Sequence, residues 1–111
     1  MTLVEFEKDV YAAALASDIC GVPLVRRLTA TAINIRINIT TGDIVDVFYN
    51  EASGTTAFAL IRQGKRIFGA DNTGGWHVHP FHSPELHIPH ASPVTPAQFL
   101  FWIEDQIKAG D

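Results

Sequence analysis

The chain reads as one α+β domain, with an N-terminal helix, a four- to five-stranded antiparallel sheet, a histidine- and proline-rich loop and a C-terminal helix. Three observations predict this. Apolar residues recur every third or fourth position at both ends, they alternate with polar residues in the middle, and the links between the alternating stretches are too short for parallel crossovers. With 111 residues, 47% hydrophobic and 18% charged, the chain has material for one modest core, so a single domain over residues 1–111 is expected.

Leu3, Phe6, Val10 and Ala14 sit at spacings of three and four behind a Thr2 cap and ahead of acids in the first turn, which predicts a helix over residues 3–15. Over residues 29–39 the period falls to two. Ile33, Ile35, Ile37 and Ile39 alternate with Asn34, Arg36 and Asn38, as in a long strand with one buried face. Thr41-Gly42-Asp43 turns into a second strand over 43–49, residues 50–54 reverse the chain into a third over 55–62, and Gln63-Gly64-Lys65 leads to a fourth over 66–70. Pro80, Pro84, Pro89 and Pro93 exclude a continuous helix from the next segment, leaving a loop or a broken edge strand. Thr95-Pro96-Ala97-Gln98 reads as a capping box with proline at the first helical position, and Phe99, Trp102, Ile103 and Ile107 form the buried stripe of a helix stopped by Gly110.

Several function classes are disfavoured. Glu5, Glu7, Lys8 and Asp9 stand where a signal peptide needs an apolar run, and no apolar run approaches the roughly 20 residues of a membrane span, so a cytoplasmic protein with no membrane partner is expected. The single Cys20 cannot form an internal disulfide or furnish a multi-cysteine zinc site, and reads as a small buried hydrophobe. A net charge of −4 argues against coating nucleic acid by charge alone. The distribution differs from the sum: residues 26–66 hold Arg26, Arg27, Arg36, Arg62, Lys65 and Arg66 against Asp43, Asp46 and Glu51, so a basic middle lies between acidic ends.

All five histidines fall between positions 77 and 90. Imidazole titrates near neutrality, so such a cluster gathers proton donors, proton acceptors and metal ligands in one place. On an extended stretch His77 and His79 project from one face, while Trp76 and Val78 turn toward the core. Polyproline-like conformations return every third residue to one side, which groups His79 with His82 and His87 with His90. The residues leave three readings open. In metal-independent RNA cleavage one imidazole takes the 2′-hydroxyl proton, another donates to the leaving oxygen, and Arg66 or Lys65 steadies the phosphate. In metal-assisted hydrolysis two or three histidines with Asp71 or Glu85 hold Zn²⁺, Mn²⁺ or Fe²⁺. In the third, the loop is a non-catalytic surface that docks a protein. The run 71–75 lacks the lysine and helix start of a phosphate loop and reads as a turn, with Asp71 placed to orient a histidine.

Phe68-Gly69-Ala70-Asp71-Asn72, followed by His77, His79-Pro80, Pro84-Glu85 and His87 ahead of a last helix, resembles the TumE family of toxin–antitoxin toxins. Here Thr73-Gly74-Gly75-Trp76 stands as an insertion between the aspartate-asparagine pair and the first histidine. The resemblance implies a growth-inhibiting ribonuclease neutralised by a cognate antitoxin protein. On that basis we expect an RNA-cleaving enzyme with His77 and His79 as acid/base pair, Arg66 as phosphate clamp, and Asp71 as orienting carboxylate. Lys65, Asn72, His82 and His87 are expected to contact the RNA substrate. No cofactor is expected and no metal is assigned, and the sequence leaves self-association into a homodimer open.

Overall fold

A computed structural model describes residues 1–110. Helix α1 (Leu3–Leu15) is followed by the strands β1 (Leu24–Leu28), β2 (Ala32–Asn38), β3 (Ile44–Asn50), β4 (Thr56–Arg62), β5 (Lys65–Asp71), β6 (His77–His79) and β7 (Ile88–Pro89), and α2 (Pro96–Lys108) closes the chain. The seven strands form one sheet in sequence order, each antiparallel to the last. The α+β architecture is the one expected, but four to five strands was an undercount. The missed strands lie toward the two ends of the sheet and have weak patterns. β1 carries Arg26 and Arg27 in succession and a register shift between Val25 and Arg27, while β6 and β7 are three and two residues long.

Both helices cover one face. Ile33, Ile35 and Ile37 of β2 and Val45, Val47 and Tyr49 of β3 are buried on that side, where Phe6, Val10 and Ala14 of α1 meet them. Farther along, Phe58 and Phe68 stack on Phe99 of α2, each with ring centroids 5.1 Å apart, and Trp76 lies 6.4 Å from Phe58 as part of the same core. The alternation that buries these residues turns the intervening ones to the opposite face, which neither α1 nor α2 covers. No described helix is long and apolar enough to cross a membrane.

Local chemistry accounts for the ends and turns. Thr2 caps α1 by accepting from the Glu5 N–H, and the Glu5 carboxylate accepts from the Thr2 N–H in return. At α2 only half of the expected box forms, Thr95 accepting from the Gln98 N–H. Gln63 and Gly64, with φ of 51° and 79°, make the two-residue reversal between β4 and β5, and two positive φ angles in succession match the right-handed twist of the strands they join.

Candidate functional site

Antiparallel pairing sets Asp71 opposite His77 and Gly69 opposite His79, so all four occupy the face away from the helices. Strand β6 therefore delivers both histidines to one side, as the alternation predicts, while Val78 packs with Ala70 toward the core. His87 approaches from the segment before β7, and the three rings cluster with centroids 4.9 Å (His77 and His79), 4.8 Å (His77 and His87) and 4.5 Å (His79 and His87) apart. The grouping by threes is overturned: His87 joins His77 and His79, His90 meets the edge of Trp102, and His82 lies apart beside Phe81, Lys65 and Arg66. The chain between β6 and β7 is not a regular polyproline helix. It bends through His82 at φ 69° and a turn in which the Leu86 N–H donates to Ser83 O.

One carboxylate organises the cluster. Asp71 Oδ2 lies 2.9 Å from His79 Nε2 and its Oδ1 lies 3.1 Å from His77 Nε2. On the far side of each ring a backbone carbonyl faces Nδ1 at 3.1 Å, Gly75 O for His77 and Leu86 O for His79. His79 is thus held between two oxygens, one facing each ring nitrogen. It is 1% exposed, whereas the acid/base role expected for it requires access to a substrate. His77 Nε2 is also buried but lacks an aligned hydrogen bond. The ring of His87 is exposed and overlies these two. Burial pushes the Asp71 carboxyl up, but the hydrogen bond from His79, the Thr73 N–H and the charges of His77 and His79 outweigh it and hold the group below the ordinary aspartate range.

Arg66 shares this face. It stands opposite Ile61, its Nη2 donates to Pro84 O at 3.1 Å, and a Cβ built on Gly69 would meet Arg66 Cδ at 3.1 Å and His79 Cδ2 at 3.5 Å. Glycine at 69 is what lets the arginine stem and the imidazole lie side by side. Lys65, opposite Arg62, is exposed and lines a recess with Arg66 and His82, beside the cluster of His77, His79 and His87 and not within it. Asn72 has both ends of its amide engaged: Oδ1 accepts from the Thr56 N–H and Nδ2 donates to Gly54 O, each at 2.9 Å. It ties the end of β5 to the turn before β4. The carbonyls of Gly75 and Leu86 were not foreseen, since a backbone acceptor leaves no mark in the residue pattern.

The donor set suits two chemistries. An aspartate that fixes histidine tautomers and an arginine alongside is an arrangement for proton transfer near a phosphate. Ligand atoms of His77, His79 and His87 also lie within 4.8 Å of one another, close enough to converge on one cation, and Nδ1 atoms paired with carbonyls are how metal-bound histidines are held. Glu85 does not belong to this cluster. Comparison with known proteins finds no matching family model, no matching curated protein and no matching solved structure.

Proposed function

We propose that the chain is a toxin-like endoribonuclease, similar to the TumE toxins, that cleaves RNA by histidine acid/base chemistry in the cytoplasm until a cognate antitoxin covers its site. The observation that carries this reading is the Asp71 carboxylate gripping the Nε2 atoms of His77 and His79 beneath an exposed His87, with Arg66 on the same face. In the reaction one imidazole of the His77 and His87 pair accepts the 2′-hydroxyl proton as that oxygen bonds to phosphorus. The other, protonated, donates to the departing 5′-oxygen, and a 2′,3′-cyclic phosphate and a 5′-hydroxyl result. Swinging the exposed His87 ring uncovers His77 Nε2. His79 and Asp71 position the pair, and Arg66 binds the phosphate oxygens that gather charge.

A second reading is favoured by the mutual closeness of the three histidines and by a buried His77 Nε2 that faces Asp71 without an aligned hydrogen bond. In it His77, His79 and His87 hold a divalent transition metal that activates water for hydrolysis. Purified protein incubated with RNA decides between them. Cleavage that survives a chelator and leaves cyclic phosphate ends is expected, whereas chelator-sensitive cleavage with linear ends selects the metal. No cleavage under either condition removes both.

A further inference from the structure

The uncovered face of the sheet carries more than the histidine cluster. Register sets Arg27, Asn34, Phe48, Ala57, Asp71 and His77 opposite one another on successive strands, so these six residues form one row from β1 to β6. At about 4.8 Å per strand, Phe48 and His77 are about 14 Å apart. Between them the row holds only Ala57 and Asp71, and the neighbouring row holds Ala59 and Gly69, so the floor between aromatic and imidazoles is low. At the far end a groove of about 450 Å³ opens, lined by Arg27, Thr29, Asn34 and Phe48.

Two side chains in this groove lack partners. Phe58 and Phe68 stack on Phe99 in the core, whereas Phe48, half-buried on the open side, makes no ring contact among the described residues. Arg27 has no ion-pair partner among the described residues. The carboxylate on this stretch, Asp46, accepts from Asn34 Nδ2 at 3.2 Å and lies 4.0 Å from Arg36 Nε, so its charge is offset. An aromatic ring stacked on no other ring, in one groove with a guanidinium that has no ion-pair partner among the described residues, matches a nucleobase and its phosphate, because every base presents a π-face and every linkage a negative charge. The row makes the groove continuous with the histidines.

We propose that this groove is a nucleobase subsite. Phe48 stacks one base of single-stranded RNA, Arg27 holds the adjacent phosphate, and the strand runs along the row over Ala57 to the histidine cluster. The inference rests on the reading of that cluster as an RNA-cleaving site.

The test uses wild-type protein and fluorescein-labelled single-stranded homopolymers of 2′-O-methyl RNA, in which the nucleophilic hydroxyl is blocked, with binding read by fluorescence anisotropy. Phe48→Ala should weaken binding roughly tenfold, the scale of one lost base–aromatic stack, while Phe48→Trp retains it. Arg27→Gln should weaken binding and lower the salt dependence by about one phosphate contact. Circular dichroism melting accompanies each variant, and Phe48→Leu, which keeps apolar volume without a ring, keeps the test decisive if Phe48→Ala does not fold. Wild-type affinity in both Phe48→Leu and Arg27→Gln overturns the subsite. If the parent cleaves unmodified RNA and these variants cleave it with unchanged KM, the subsite falls and the cleavage reading stands. Phe48-dependent binding without cleavage by the parent does the reverse. Absence of RNA binding together with a protein partner lost in Phe48→Leu gives the face to a protein and overturns the proposal.

Discussion

His87 is the exposed ring of the cluster and His79 the buried one, and substitution should separate chemistry from architecture. His87→Ala is expected to lower cleavage by about 10²–10⁴-fold, the span of one general acid or base, with the melting temperature unchanged. His79→Ala should lower both, because it also leaves the Asp71 carboxylate short of a donor, at about 1–3 kcal/mol. His79→Asn, able to donate one hydrogen bond, should restore part of the stability. The rate should trace a bell against pH. Below the bell the base is already protonated, above it the acid has lost its proton, and Asp71, held below the ordinary aspartate range, stays ionised throughout and shapes neither limb. A rate that climbs to a plateau with pH and vanishes with chelator would instead assign the rings to a metal. Arg66→Ala should slow cleavage roughly 10²-fold, and Arg66→Lys should recover part, since an ammonium cannot make the planar two-point contact of a guanidinium. At Gly69 a methyl group would lie 3.0 Å from Phe58 O and 3.1 Å from Arg66 Cδ. The backbone oxygen cannot yield as the arginine can, so Gly69→Ala should displace Arg66 and imitate part of the Arg66→Ala defect, with a stability loss of about 1–3 kcal/mol.

Among the elements, the β2–β3 turn and the end of β4 are joined by a single clamp. Asp43, buried, accepts from Arg62 Nε at 3.0 Å and from Nη2 at 2.9 Å, and also accepts from the Thr41 hydroxyl. The two Arg62 hydrogen bonds, opposed by burial, leave the Asp43 carboxyl below its usual range. The sign follows from linkage. A depressed folded pKa gives stability that is present above the unfolded value of about 3.9 and is lost as pH falls through the folded one. Urea midpoints should therefore drop steeply below about pH 4, and Asp43→Asn should be less stable at neutral pH by about 1.5–3 kcal/mol and flatter against acid. An acid slope unchanged by the substitution would place the titration elsewhere. This clamp shows what local pattern conceals. Strands β2 to β5 were legible from the isoleucine alternation of β2 and from the Gly42 and Gly64 reversals, because period and turn chemistry are short-range. β1 was not, since Arg26 and Arg27 interrupt its alternation at an edge where one side is solvent. Asp71 and His77 were legible as partners of one site. The arrival of His87 was not, because its position depends on bends at His82 and Ser83 to Leu86 that the prolines only constrain.

Across the whole molecule, ladder length is uneven: β2 to β5 are seven residues each, while β6 and β7 have three and two. Short edge ladders open at low free energy, so amides of 77–79 and 88 should exchange with deuterium well before those of β3 and β4, and the histidine cluster should loosen before the core. Uniform exchange across the sheet would contradict this. Added Zn²⁺ that selectively slowed exchange at the β6–β7 edge would favour the metal reading, since binding to the folded state suppresses local opening. The sequential order of the sheet also has a consequence for synthesis. Strands reach one another in the order in which a ribosome delivers them, so the Phe48 groove forms early, Arg66 and Asp71 follow, and the imidazoles come only afterwards. Phe99, which buries Phe58 and Phe68, comes later still. A chain cut short before His77 holds the floor of the site without its imidazoles, and one cut short before Phe99 lacks the ring that closes the core. Under the ribonuclease reading a nascent fragment that stops short of His77 and His87 is harmless, because the power to cut arrives only after the floor of the site has been made.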